Sequence, residues 1–479
     1  MKILIAASEV VPFAKTGGLA DVAGALPLAL EELGHDVRVM MPRYQVVDKK
    51  KFKPQMMVES LPVPISDRKE EMNIMQGRLG KAIPVYFIEK DKYYKRPELY
   101  GTPHGDYPDN AERFIIFCRA ILEGCKALNF KPDIIHCHDW QTGLVPVYLK
   151  TLYRDDPFFS KTGSIFTVHN MGYQGVFWHI DMHLTGLGWD IFTPEGIEFY
   201  GKINMLKSGL VFSDIINTVS KQYSQEVQTA EYGHGLDGVL QSRNKKFFGI
   251  INGIDYKDWN PLTDRYIKEN YSSDKMSGKS VNKAELQKEF KLPVKNVPLV
   301  GMVGRLTEQK GIDIIAGMID SLMKLDVQFV LLGTGEEKYH NIFREVGERY
   351  KDKAGIRIGF DNGLAHRIYA GSDIFLMPSK YEPCGIGQLI SFCYGTIPVA
   401  RETGGLADTV KEFDSKKKKG NGFIFKEYFS GALLDALNRA IKTYKNKTQW
   451  KVLVQNAMKE DFSWKKSAKE YIKLYKKAA

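Results

Sequence analysis

Residues 16–21 read TGGLAD, and the same six letters return at residues 403–408. An apolar run lies upstream of each copy, KILIAA at residues 2–7 and IPVA at residues 397–400. Leu-Ala-Asp then opens a helical pattern. Strand, small-residue turn and helix make a βα unit, and the repeat near both ends predicts two of them at equivalent places. Thr-Gly-Gly carries almost no Cβ bulk, so a ligand can come close to the main chain. A helix that starts there aims N–H groups and a positive dipole end at it. One copy alone reads equally well as an ordinary strand-to-helix turn. Two copies point to a pair of anion-holding loops.

A chain of 479 residues is too long for one hydrophobic core and divides naturally into two α/β domains. It is 43% hydrophobic and 26% charged, a globular composition. The formal net charge of +11 is scattered. Its densest run, Lys416–Lys419, sits between helix and strand signals and reads as a solvated loop. No nucleic-acid motif accompanies it, so no nucleic-acid partner is expected; a mild positive field would gather a small anionic substrate. The five cysteines (Cys118, Cys125, Cys137, Cys384, Cys393) lack metal-ligand spacing, and most lie in apolar runs. They read as reduced thiols. No stretch approaches bilayer-spanning length and no cleavage site follows the first apolar run, so a cytoplasmic protein with no membrane partner is expected.

Short apolar runs alternate with helical patterns almost throughout, which implies parallel sheets. In the first half the strand candidates are KILIAA, VRVMM, IPVYFI, DIIHC, SIFTV, DIINTV and FFGII. After Ile251 a polar, turn-rich stretch reads as a connector. A second series follows: PLVGMV, QFVLLG, IRIGF, DIFLMP, IPVA and GFIF. The expected fold is therefore α/β, with two doubly wound, Rossmann-like domains at residues 1–250 and 251–460 facing across a deep cleft. The segment 461–479 reads as one amphipathic helix that could pack back across the first domain.

In the second domain GRLTEQKG (304–311) directly follows a strand, so Arg305 and Lys310 stand where two cations can hold phosphate oxygens; the alternative is an exposed turn. SKYEPCGIGQ (379–388) follows another strand and sets Glu382 against a substrate, or at a helix N-cap. Cys384 invites a nucleophile reading, but no histidine is arranged with it, and backbone contact suits it better. In the first domain HCHDW (136–140) and TVHN (167–170) end successive strands. His136 and His138 share a face without a third metal ligand in sequence reach. Asp139 and His169 look like hydroxyl-binding groups for a polar substrate, although each alone could be a bonded turn residue.

Several signatures are missing. Gly278-Lys279-Ser280 carries the end of a P-loop, but Ser273 stands where its first glycine should be. The dinucleotide fingerprint G-x-G-x-x-G is present only as a fragment at Gly333. No D-x-D pair occurs, which argues against a metal-bridged diphosphate.

Taken in order, KTGGLADV, HCHDW, TVHN, NGID, GRLTEQKG, YEPCGIGQ and TGGLADTV resemble the bacterial glycogen and starch synthases along essentially the whole chain. The resemblance implies a GT-B glycosyltransferase that moves glucose from ADP-glucose to the non-reducing end of an α-1,4-glucan, glycogen or a maltooligosaccharide, with retention. It needs no cofactor and no metal. It further implies that Lys15 and Gly18 reach the donor phosphates beside Asp21, and that Arg305 and Lys310 neutralise the departing diphosphate. Glu382 would lie against the donor glucose, with Asp139 and His169 on glucose hydroxyls. Phe360 would stack on adenine. Thr403, Gly404 and Gly405 would form the second phosphate turn, and Asn252, Cys384 and Gly385 would join the substrate contacts. The chain departs from the pattern at Gly304, which replaces a serine, and at Ile386-Gly387, which stand for Leu-Thr. Ile390 occupies the place of a ribose-binding glutamate in many retaining GT-B enzymes and fits the synthases better than that broader group. The polar stretch Tyr266–Lys279 matches no motif.

Overall fold

The computed structural model describes residues 1–102 and 104–479. The chain forms two compact units, Met1–Gly253 with Trp464–Ala479, and Ile254–Ser463. The divisions fall three residues beyond those expected at 250/251 and 460/461. Local bonding explains the shift. Ile254 N–H donates to Phe462 O at 2.9 Å, while the Ser467 hydroxyl donates to Ile251 O at 2.7 Å.

The first unit is built on a nine-stranded sheet. Its parallel part turns about the first strand, Lys2–Ala6. Asp36–Pro42 and then Ile83–Glu89 lie to one side, with Ile134–His138, Gly163–Val168, Ile215–Thr218 and Phe247–Gly249 to the other. Strands covered on both faces are rich in apolar residues, and Ile134–His138 and Gly163–Val168 are buried end to end, with their polar side chains His136, His138, Ser164 and Thr167 hydrogen-bonded within the protein. That is why most strands of this sheet stand out as largely apolar runs in the sequence.

Two long strands are among those the sequence reading left out. Gln55–Ile65 and Arg68–Leu79 form an antiparallel hairpin on the edge beyond Ile83–Glu89. Pro62 and Pro64 and the charged run Arg68–Glu71 argue against a strand. An edge strand tolerates proline because one side of its backbone has no ladder partner to lose. Small strands at Val176–Trp178, Glu198–Phe199 and Lys202–Asn204 make a further three-stranded sheet.

The last helix, Trp464–Ala478, belongs to the first unit. Trp464, Ser467, Ala468, Tyr471, Leu474 and Tyr475 recur at three- and four-residue spacing and are all buried. The helix packs on Gly18–Glu32 and on the strand Gly163–Val168.

The second unit holds a six-stranded, wholly parallel sheet in the order Ala354–Ile358, Gln328–Gly335, Leu299–Leu306, Ile374–Met377, Ile397–Arg401, Phe423–Phe425. The order again reverses beside the first strand of the unit. In sheets wound this way, ligands bind past the carboxyl ends of the strands at that reversal.

The stretch Tyr266–Lys279, silent in the sequence, proves to be a structural strap within the second unit. Lys279, the lysine of the incomplete P-loop, donates from Nζ to Ala370 O (3.1 Å), Tyr394 O (2.9 Å) and Thr396 Oγ1 (2.8 Å). Just before the stretch, Asp264 accepts from Tyr394 OH at 2.5 Å and lies 2.8 Å from His366 Nδ1. Lys416–Lys419 is an exposed turn, with Lys416 and Lys417 N–H bonded to Asp414 Oδ1.

Candidate active site

The topology points to four loops, two in each unit. In the first unit these follow Lys2–Ala6 and Ile134–His138, the strands that flank the reversal. The first loop carries Lys15, Thr16 and Gly17 to the helix Gly18–Glu32. Glu9, 4% exposed, holds this turn. Its carboxylate accepts from the Thr16 N–H, from the Thr16 hydroxyl at 2.6 Å and from Gly17 N–H at 3.2 Å. Tyr100 OH donates to the same carboxylate at 2.7 Å. Fully buried Arg113 fixes the chain before Tyr100 by donating to Leu99 O at 2.9 Å. Lys15 Nζ lies 2.7 Å from Asp21 Oδ1, with both side chains reaching solvent. A Cβ placed at Gly17 or Gly18 would touch nothing within 4 Å, so the protein leaves that space open above the helix start.

The second loop carries Asp139 at φ 56°, ψ 179°, a backbone conformation that costs a non-glycine residue about 1–3 kcal/mol. Two bonds hold it there. Asp139 N–H donates to Thr167 O at 2.9 Å, and Asp139 Oδ1 accepts from His169 N–H at 2.7 Å. Burial pushes the Asp139 carboxyl up to about 8, and the nearby Glu9 charge adds to the rise. Burial pushes His169 down to about 3, so its imidazole is neutral. Behind these residues His136 is bonded through Nδ1 to Tyr475 and through Nε2 to Thr167, and His138 through Nδ1 to His169. Among the described residues no group of three His, Cys, Asp or Glu is placed to hold a metal.

In the second unit the equivalent loops follow Leu299–Leu306 and Ile374–Met377. Arg305 is exposed at the end of its strand and donates to Gln309 Oε1 at 3.0 Å. Lys310 reaches Glu382, with Nζ 2.6 Å from Oε2. The Ser379 hydroxyl donates to the same oxygen at 2.9 Å. The Glu382 side chain is 7% exposed, and that of Lys310 is 23% exposed. The buried carboxylate is thus paired by the cation that the sequence placed one loop away.

Thr403, Gly404 and Gly405 are buried against the Glu382 loop. Gly405 N–H donates to Glu382 O at 3.0 Å. A Cβ on Gly404 would lie 1.9 Å from Glu382 O, and one on Gly405 1.9 Å from Cys384 O. The two TGG copies therefore carry glycine for different reasons. The first leaves room over its turn, and the second lets two loops touch. Cys384 is 5% exposed, and its carbonyl accepts from Gln388 Nε2 at 3.0 Å, as does that of Gly385 at 3.1 Å.

Two site residues stand apart from these clusters. Phe360, 90% exposed, follows the strand Ala354–Ile358 just ahead of Asp361, which caps the helix Asn362–Gly371 by accepting from Leu364 N–H at 2.8 Å. Asn252 is 4% exposed at the end of the first unit, and its Oδ1 has no hydrogen-bond partner among the described residues. Sequence reasoning passed over Glu9 and Tyr100, weighed His138 only as a metal ligand, and gave Ser379 no role. Glu9 gave one signal, a charged residue three positions past the end of an apolar strand.

Residues 2–242 match the family model described as the starch synthase catalytic domain, and residues 283–457 match glycosyl transferases group 1. The glycogen synthase of Thermosipho africanus is 51% identical over 485 residues, spanning 100% of this chain and 99% of the relative. This chain belongs to the glycogen and starch synthase family. The glycogen synthase of Koribacter versatilis is 48% identical over 478 residues, spanning 100% of this chain and 98% of the relative. Among solved structures, the catalytic domain of starch synthase IV from Arabidopsis thaliana, bound to ADP and acarbose, aligns with a TM-score of 0.91 at 36% identity. That alignment covers 100% of this chain and 99% of the other. A sucrose-phosphate synthase from Thermosynechococcus elongatus, at 15% identity and a TM-score of 0.61, shares the fold alone. As a member of the glycogen and starch synthases the chain is a glycosyltransferase, and its two parallel α/β units are those of the GT-B fold. No helix among the described residues is long and apolar enough to cross a membrane.

Proposed function

We propose that the protein transfers glucose from ADP-glucose to the non-reducing 4-hydroxyl of an α-1,4-glucan, with retention of configuration. The observation that carries the choice of nucleotide is the likeness, at a TM-score of 0.91 over the whole chain, to a starch synthase whose structure holds ADP. ADP is what glucosyl transfer from ADP-glucose leaves behind.

In this reading the bond from glucose C1 to the β-phosphate oxygen breaks, and its electron pair leaves with ADP. Arg305 and Lys310 stabilise the charge that collects on the diphosphate, and the Thr403–Gly405 turn lies against the same phosphates. Fixed donors of this kind supply much of an enzyme's rate, about 10²–10³ for a single one. Glu382 stabilises the positive charge that develops on the sugar. The acceptor hydroxyl attacks from the face that ADP leaves, which retains configuration, and passes its proton to the departing phosphate oxygen. In the first unit Lys15 and Gly18 serve the phosphates beside Asp21, while Asp139 and His169 bind glucose hydroxyls. Phe360 stacks on the adenine. Asn252, Cys384 and Gly385 complete the substrate contacts, the last two through backbone. A cytoplasmic setting belongs to the same proposal and is supported by five cysteines of which none forms a disulfide.

The test feeds labelled ADP-glucose and UDP-glucose separately with glycogen and compares initial rates. Faster incorporation from ADP-glucose is expected. Preference for UDP-glucose would remove the nucleotide assignment, and no incorporation from either donor would remove the reaction.

A further inference from the structure

Three imidazoles stand together at the ends of the strands Ile134–His138 and Gly163–Val168. The His138 ring lies 4.1 Å from that of His136 and 5.2 Å from that of His169, centroid to centroid. His138 Nδ1 and His169 Nε2 are 2.9 Å apart, so one of them must donate to the other. Burial holds His136 and His169 down to about 3 and His138 well below the ordinary range, so all three rings are neutral and each carries one proton.

The direction of that proton follows from the far side of His138. Its Nε2 is buried and has no partner among the described residues. Were His169 the donor, the single proton of His138 would sit on Nε2 as a buried, unpaired N–H. Were His138 the donor, Nε2 would bear only a lone pair. A buried donor without an acceptor is the rarer and costlier arrangement.

We infer that His138 is a positioning residue that donates its Nδ1–H to His169 Nε2 and thereby fixes His169 in the tautomer whose Nδ1–H is offered to a substrate oxygen. The catalytic consequence rests on the proposed transferase reading, in which His169 meets a glucose hydroxyl; the tautomer itself does not. His169 then serves as a donor to the lone pair of a sugar oxygen.

A second set of bonds braces the ring beside His138. Thr167 Oγ1 donates to Asn217 Oδ1 at 2.6 Å, which leaves its lone pairs to accept from His136 Nε2–H at 2.5 Å. His136 Nδ1 then accepts from Tyr475 OH at 2.9 Å, and Asn217 Nδ2 donates to Tyr471 OH at 3.3 Å. All five side chains are fully buried. The terminal helix, through Tyr471 and Tyr475, thus seats the imidazole against which His138 lies.

The test has two readouts. Long-range 1H–15N NMR on the full chain labelled at histidine, with signals assigned by substitution, reports each tautomer at pH 7. Protonated Nδ1 on both His138 and His169 is expected; a proton on His169 Nε2, or a charged ring at either position, overturns the inference. In kinetics, His138→Asn keeps an N–H near the place of Nδ1 and His138→Leu does not. Leucine should lower kcat roughly 10-fold, less than the loss of a direct transition-state donor, with KM for the sugar nucleotide unchanged. Asparagine should recover most of that rate. Equal losses in both variants, or normal turnover in the leucine variant, overturn the positioning role. A parent chain without transferase activity would defeat the functional reading and leave the tautomer to be decided by NMR. The same measurement decides if His138→Leu folds poorly.

Discussion

Lys310 Nζ lies 2.6 Å from Glu382 Oε2, and the Ser379 hydroxyl donates to the same oxygen from 2.9 Å. Lys310 therefore has a structural duty that Arg305, exposed and bonded to Gln309, lacks. Lys310→Ala would leave a buried carboxylate unpaired, which costs up to 3–5 kcal/mol in a dry core and about 2 kcal/mol here, where the lysine is partly hydrated. Arg305→Ala should change stability by less than about 0.5 kcal/mol. Both should slow transfer by about 10²–10³. Glu382→Ala should abolish transfer while nucleotide binding stays measurable. Denaturant unfolding and initial rates on the three variants check this; equal stability losses at Arg305 and Lys310 would contradict the ion pair's role.

Phe360 presents an apolar ring to solvent at 90% exposure, a state that packing does not explain. Stacking on a nucleobase is worth about 1–3 kcal/mol to an exposed aromatic. Phe360→Ala should raise KM for ADP-glucose by about 5- to 100-fold and leave the melting temperature unchanged. Phe360→Tyr should keep near-normal KM. A loss of stability without a change in KM would assign the ring to folding instead.

The parallel strands were legible because burial on both faces favours apolar runs, as at Ile374–Met377, which reads IFLM and is buried throughout. The hairpin Gln55–Ile65 and Arg68–Leu79 was not, since an edge position lets Pro62, Pro64 and a charged run occupy strands. At the site, motif spacing led to Lys310 and Glu382, although nothing in the sequence says that they touch. Glu9 and Tyr100 act across 91 residues of chain, a distance at which local pattern carries no signal. The repeated TGGLAD misled in one respect, for identical letters serve an open turn in one unit and a tight loop contact in the other.

The cluster at Asp139 predicts a pH dependence of stability with opposite signs on its two sides. His136 and His169 fall from an ordinary 6.5 to about 3 in the folded chain, and His138 falls with them. Below pH 6.5 the unfolded chain binds protons that the folded chain does not, so stability drops as pH falls toward 3. Asp139 rises from 3.8 to about 8, so between those values the folded chain holds a proton that the unfolded chain has lost. Its contribution declines as pH rises through that window. Three histidines outweigh one aspartate on the acid side, and Asp139 alone acts from pH 6.5 to about 8. Asp139→Asn keeps the acceptor for His169 N–H and removes the titration. Melting temperatures of parent and variant from pH 5 to 9 should diverge in favour of the variant as pH rises to 8. Parallel curves would mean that Asp139 is ionised throughout.

The two TGG turns separate by a single methyl group. At Gly404, φ is +45° and a Cβ would sit 1.9 Å from Glu382 O. Gly404→Ala must therefore strain its own backbone and push the loop that carries Glu382, at a combined cost of about 3 kcal/mol. At Gly18, the first residue of its helix, a Cβ meets nothing within 4 Å. Alanine there also lowers the entropy of the unfolded chain, so Gly18→Ala should leave stability unchanged or raise it by up to about 1 kcal/mol. If the open space is kept for donor phosphates, the same methyl should raise KM for ADP-glucose on the order of 10-fold, one methyl displacing a ligand that packs on the main chain. Thermal melts and donor titrations on the two variants should give opposite patterns, stability lost at Gly404 and affinity lost at Gly18. A Gly18→Ala enzyme with normal KM would show that no phosphate rests on the first turn.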